Sequence, residues 1–94
     1  MRLRWTRQAI ADLDSAYNFI APSGPAVARR LIDRIEEAAA VLGRHPSAGR
    51  LGRVPATREL VVTGTPFILA YRIRKAAVEV LAVIHGSRKW PESF

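Results

Sequence analysis

The chain has 94 residues, no cysteine, and 15 Lys/Arg against eight Asp/Glu, a formal net charge of +7. That length suits a single domain, residues 1–94, with a modest core. The lack of cysteine excludes a disulfide framework, a thiolate metal site and a cysteine nucleophile, and it fits a reducing cytoplasm. No apolar stretch approaches the roughly 20 residues that span a bilayer. The opening MRLRWTRQ carries no apolar signal segment, so the chain reads as cytoplasmic, with no membrane partner.

The charge is unevenly placed. Residues 1–43 hold six Arg against five Asp/Glu, whereas residues 44–94 hold nine Arg/Lys against three Glu. A basic half beside a near-neutral one points to an anionic partner, such as nucleic acid, nucleoprotein or an acidic protein segment. A solvated basic surface with no partner is the bland alternative.

Met1 to Trp5 alternates apolar and basic residues, the period of a half-buried strand. Thr6 follows as a helix N-cap. Ile10, Leu13, Tyr17 and Ile20 recur at helical steps and predict a buried stripe, which leaves Asp12 and Asp14 solvated. Ala21-Pro22-Ser23-Gly24-Pro25 breaks this helix, and Ser23 or Gly24 can cap a second with Pro25 in its first turn. Val27, Leu31, Ile35, Ala38 and Leu42 form the second stripe, and Gly43 suits a left-handed C-terminal cap. Two helices joined by a short break make an α-hairpin.

Arg44 to Ala56, with two prolines and two glycines, predicts an irregular loop, and loops of that length often carry function. Beyond it lie three apolar runs, Leu60–Val62, Phe67–Ile73 and Val78–Ile84, divided by Thr63–Pro66 and Arg74–Ala77. Gaps this short join only antiparallel neighbours. The expected fold is therefore α+β: an N-terminal strand, an α-hairpin, then a three-stranded antiparallel meander. Along the last run Val78, Val80, Ala82 and Ile84 should face one way, with Glu79, Leu81, Val83 and His85 facing the other. Both faces are apolar, so that strand should be central and covered.

No pattern here specifies a metal or cofactor. His45 and His85 are far apart and have no carboxylate set beside them. Phosphate-cradling loops and nucleophile elbows are likewise missing. What remains are cations and aromatics: Arg50, Arg53, Arg58, Tyr71, Arg72, His85, Arg88, Lys89 and Trp90. Arginine forks bind phosphate or carboxylate, and aromatic faces stack on bases. Each also has a structural reading. Tyr71 sits mid-strand as a core residue, His85 can serve as a structural hydrogen-bonder, and Trp90 can clasp the tail to the domain. Arg50 and Arg53, on the long loop, look least structural.

The ordered set LRWTRQAIADLDSAYNFI, HPSAGR, RELVVTGTPFILAYRI and VEVLAVIHGSRKWP resembles the RelE/ParE superfamily of bacterial type II toxins. The resemblance spans nearly the whole chain. It implies the same fold, with the first strand received beside the meander. It also implies a cognate antitoxin, ParD-like or RelB-like, whose C-terminal segment wraps the toxin and whose N-terminal part binds operator DNA. RelE-like members are ribosome-dependent mRNA endonucleases that place cations on the first meander strand and early in the next. Those places hold Glu59, Val61 and Ile68 here, and only Arg88 matches. The aromatic-Tyr-Arg strand and the VIHG ending are more similar to ParE-like inhibitors of DNA gyrase. The resemblance thus implies a non-enzymatic gyrase inhibitor causing growth arrest. Its binding surface is expected among Arg50, Arg53, Arg58, Arg72, Arg88, Lys89 and Trp90. On the alternative, nuclease reading the ribosome is the target and His85 and Arg88 are the catalytic pair.

Overall fold

In the computed structural model, which describes residues 1–94, the chain opens with β1 (Arg2–Trp5) and enters α1 (Arg7–Ile20). The Thr6 hydroxyl caps that helix by accepting the Ala9 N–H at 3.2 Å. A 3₁₀ turn (Ala21–Ser23) leads to α2 (Pro25–Arg44), whose N-cap is Gly24 at φ 137°, with Pro25 in the first turn. Then follow β2 (Arg50–Leu51), β3 (Arg58–Val61), β4 (Phe67–Arg74) and β5 (Ala77–His85).

The sheet has five strands in the order β1-β5-β4-β3-β2. β3, β4 and β5 form the expected antiparallel meander, and β1 lies parallel to β5. Two residues of the long loop, Arg50 and Leu51, add a short edge strand that the loop's composition concealed. The α-hairpin covers one face. Ile35, Leu42, Leu69, Tyr71, Val78 and Val80 are fully buried there. The Tyr71 hydroxyl donates to the Pro46 carbonyl at 2.7 Å and accepts the Gly49 N–H at 2.9 Å, pinning the loop to the sheet.

Several local expectations are corrected. Ile10 is half exposed, and Ala9 and Ala16 are the buried α1 positions, because small residues let the helix lie close to β5. The α2 stripe is Ala28, Ile32, Ile35, Ala39 and Leu42, with Val27 turned outward. Gly43 does not terminate α2. The helix runs to Arg44, and the Gly43 carbonyl accepts the chain's N-terminal ammonium at 2.7 Å.

The face assignment along β5 also changes half-way. Ala70 pairs with Ala82 but Tyr71 pairs with Val80, so Leu81 is the extra residue of a β-bulge. Because side chains alternate with period two, one added residue exchanges the faces beyond it. Val78, Val80 and Val83 therefore face the helices, while Ala82 and Ile84 join Ala70 on the opposite side.

Candidate functional site

Two surfaces bring the sequence's cations together, and the first depends on how β5 is bordered. β1 reaches only as far as the Trp5↔Val80 pair, so Leu81 to His85 has no strand on that side. α1 takes the strand's place. The Thr6 hydroxyl lies 2.9 Å from the Val80 carbonyl, and the Asp12 carboxylate accepts the Val83 N–H at 2.9 Å. Asp12, expected to be solvated, is thus a clip on the free edge of the sheet.

Along this edge runs a groove of about 850 Å³, bordered by α1 and by the tail that follows β5. Ala16, Phe67, Leu81 and Val83 contribute apolar lining, and the exposed rings of Phe19 and Phe94 add to it. Arg72, Arg88 and Lys89 supply positive charge, and Asp12 is the one carboxylate in the lining. Arg88 and Lys89 are exposed. His85 sits in the same lining, with its ring edge-on to Phe67 (5.4 Å) and Phe19 (6.1 Å). Its Nδ1 accepts the Ser87 N–H at 3.1 Å, and the Arg88 N–H closes a turn onto the His85 carbonyl.

The second surface is the sheet face turned away from the helices. Glu59 on β3 is buried there and gathers the loop's arginines. Its Oε1 accepts Arg50 Nη2 at 3.1 Å, and its Oε2 accepts the Arg53 backbone N–H at 2.7 Å and lies 3.3 Å from Arg53 Nε. Burial pushes this carboxyl up. The backbone N–H of Arg53 and the Arg50 and Arg53 side chains outweigh that and hold it below the usual carboxylate range. The Arg53 guanidinium lies 3.8 Å from the centre of the Trp90 ring, a cation–π contact. Trp90 in turn packs on Ala70, Ala82 and Ile84. Its indole Nε1 is buried without a partner.

The cations of the sequence thus divide. Arg50 and Arg53 turn onto Glu59, Arg58 donates to the Gly49 carbonyl at 2.8 Å, and Arg72 pairs with Glu79 at 2.7 Å. Arg88 and Lys89 stay in the groove lining. Sequence reasoning passed over Glu59, Asp12 and Phe19. A signal existed for two of them. Glu59 is the lone carboxylate between Arg44 and Arg74, and Phe19 is an aromatic off the apolar stripe of α1.

Residues 3–90 match the model of the family described as ParE toxin of type II toxin–antitoxin system, parDE. The chain belongs to this family. The Y4kP protein of Sinorhizobium fredii is 41% identical over 91 residues, covering 97% of this chain and 94% of that protein. Toxin RelE2 of Caulobacter vibrioides is 33% identical over 84 residues, covering 89% of this chain and 93% of the toxin. Among solved structures, a chain of the chromosomal ParDE TA system from P. aeruginosa superposes with a TM-score of 0.84 at 32% identity. That match covers 90% of this chain and 95% of the other. The protein is accordingly a type II toxin of the ParE family, and membership implies a cognate antitoxin as its partner.

Proposed function

We propose that this ParE-family toxin inhibits DNA gyrase and is silenced by an antitoxin segment seated in the groove along β5. The observation that supports gyrase over the ribosome is the state of the open sheet face. A metal-free nuclease needs unpaired cations to stabilise the charge that develops at phosphorus. Here the first long meander strand offers the buried carboxylate of Glu59, which occupies Arg50 and Arg53. That end of the face, where β2 and β3 lie, is poorly suited to phosphodiester cleavage. The groove's apolar lining and its cations suit a segment mixing apolar and acidic residues. Charge accelerates such an association, and apolar burial supplies most of the affinity.

The test pairs two assays on the purified toxin: supercoiling and DNA cleavage by gyrase, and cleavage of mRNA on programmed ribosomes. Gyrase inhibition without mRNA cleavage is expected. Robust ribosome-dependent cleavage at catalytic toxin concentrations overturns the reading in favour of His85 and Arg88 as catalytic residues. In that case His85→Ala or Arg88→Ala should reduce cleavage by roughly 100-fold or more. Co-expression with the adjacent small open reading frames should yield a stable complex. If neither product co-purifies, the antitoxin seat is withdrawn.

A further inference from the structure

The open face of the sheet has a basic end that, apart from Arg72, belongs neither to the Glu59 cluster nor to the groove. On β1, Leu3 and Trp5 pack toward the core, so Arg2 and Arg4 point to the open face. On β4, Tyr71 is in the core, so Arg72 and Arg74 point the same way. β5 lies between these strands. Arg2 and Arg74 both pair with Ala77, and Arg4 and Arg72 both pair with Glu79. Four arginines therefore occupy the corners of a quadrilateral on three adjacent strands. Its sides are about 7 Å along a strand and about 10 Å across two strand spacings.

Glu79 is the one carboxylate inside it, bonded to Arg72 at 2.7 Å. That hydrogen bond, with the fields of Arg72, Arg4 and Arg74, holds the Glu79 carboxyl below its ordinary range. Arg2, Arg4 and Arg74 have no carboxylate within salt-bridge distance and are exposed, as is Lys75 in the β4–β5 turn. The cluster carries four arginines and a lysine against one glutamate.

We propose that this corner of the sheet binds the phosphate backbone of duplex DNA directly and without regard to sequence. Two physical features favour DNA over an acidic protein segment. A segment that folds on binding needs apolar area to offset its ordering, and the only apolar residue inside the quadrilateral is the small, buried Ala77. Phosphate binding needs no such area, because release of condensed counterions supplies the free energy. The groove mixes apolar and basic residues, which makes it the peptide-like site and leaves the corner to the phosphates. Backbone contacts of this kind position a protein on a duplex and carry no sequence information. Operator recognition therefore stays with the antitoxin. The contact is a property of the toxin alone and stands whether or not gyrase is the target.

Fluorescence anisotropy of the full-length toxin, freed of antitoxin, with two labelled duplexes of unrelated sequence tests it. Both should bind alike, with log K falling against log salt at a slope of about −3 to −4, close to −0.9 per neutralised phosphate. Arg2→Gln with Arg4→Gln and Arg74→Gln should weaken binding by at least about tenfold and reduce that slope by about 3. A charge-matched control, Arg7→Gln with Arg30→Gln and Arg44→Gln, should bind within about threefold of wild type, since those exposed residues lie outside the corner. Circular dichroism and thermal melting confirm that both variants fold. Absence of salt-dependent binding by the wild type overturns the proposal, and so does equal weakening in the control. A corner variant that binds DNA normally but loses antitoxin affinity makes the acidic segment the occupant, which also overturns it.

Discussion

Glu59 shows how one side chain can redirect a cluster of charge. Without it, Arg50 and Arg53 would be free to bind an external anion; with it, both arginines are held within the molecule. Because the folded carboxyl titrates below its ordinary value of 4.5, its ionised form stabilises the fold. That contribution is complete above the unfolded value and is lost as pH falls through the folded one. Melting temperatures should therefore hold from neutral pH to about 5 and then decline. Glu59→Gln should cost about 1–3 kcal/mol at neutral pH, and its deficit should narrow as the pH falls, in melts recorded across the acid range. A constant deficit would show that its contribution is not electrostatic. Trp90 is the matching apolar residue. Trp90→Ala should cost about 2–3 kcal/mol by removing its packing on Ala70, Ala82 and Ile84. Trp90→Phe keeps most of that area and removes the unpartnered indole N–H. Its cost should stay within about 1 kcal/mol, since a buried donor without an acceptor is itself unfavourable. Denaturant titration of both variants distinguishes the two contributions.

At the scale of elements, the short β1 and the bulge in β5 act together. β1 ends at Trp5, and the bulge at Leu81 begins where its pairing stops. From there α1 borders the strand through Thr6 and Asp12, and the exposed edge becomes a groove instead of a template for further strands. Asp12→Ala leaves the Val83 N–H without its acceptor, so that amide should lose protection in hydrogen exchange and stability should fall by about 1–3 kcal/mol. Asp12→Asn retains a side-chain carbonyl and should keep most of the protection. Exchange at Val83 unchanged from wild type in Asp12→Ala would show that the clip contributes nothing to the edge. The β4–β5 turn is a second local feature. Lys75 and Ala76 both take positive φ, 52° and 57°, the backbone of a type I′ hairpin, without the Asn-Gly pair that such turns favour.

For the whole molecule, the charge asymmetry resolves into surfaces on different sides of the same sheet. The tail connects them: Trp90 anchors it on the open face, while Arg88 and Lys89 line the groove. Arg88→Ala combined with Lys89→Ala removes two exposed cations and should change stability by only about 0.5 kcal/mol each. Growth arrest should nevertheless weaken while the melting temperature stays near wild type. Trp90→Ala should lower both together. A folded Arg88/Lys89 variant with full toxicity would remove the groove cations from the active surface.

Element identity was legible in the sequence because it follows from local periodicity. The alternation over Met1–Trp5, the helical steps over residues 10–42, the three apolar runs and the Thr6 cap each specify an element without reference to distant residues. The α-hairpin and the antiparallel meander followed, since short gaps allow no other connection. The buried face within each element was less legible. The true stripes of both helices run through alanines, whose burial is dictated by how closely a helix approaches the sheet. The faces of β5 depend on a single extra residue that only pairing with β4 exposes. Function divided along the same line. The basic character of the second half is compositional and can be read at once. Which arginines stay free is decided by carboxylates brought close in space: Glu59 binds Arg50 and Arg53 across a strand pairing, and Glu79 binds Arg72 across another. A charge fixes what a residue can attract, and the tertiary structure decides whether that partner lies inside the molecule or outside it.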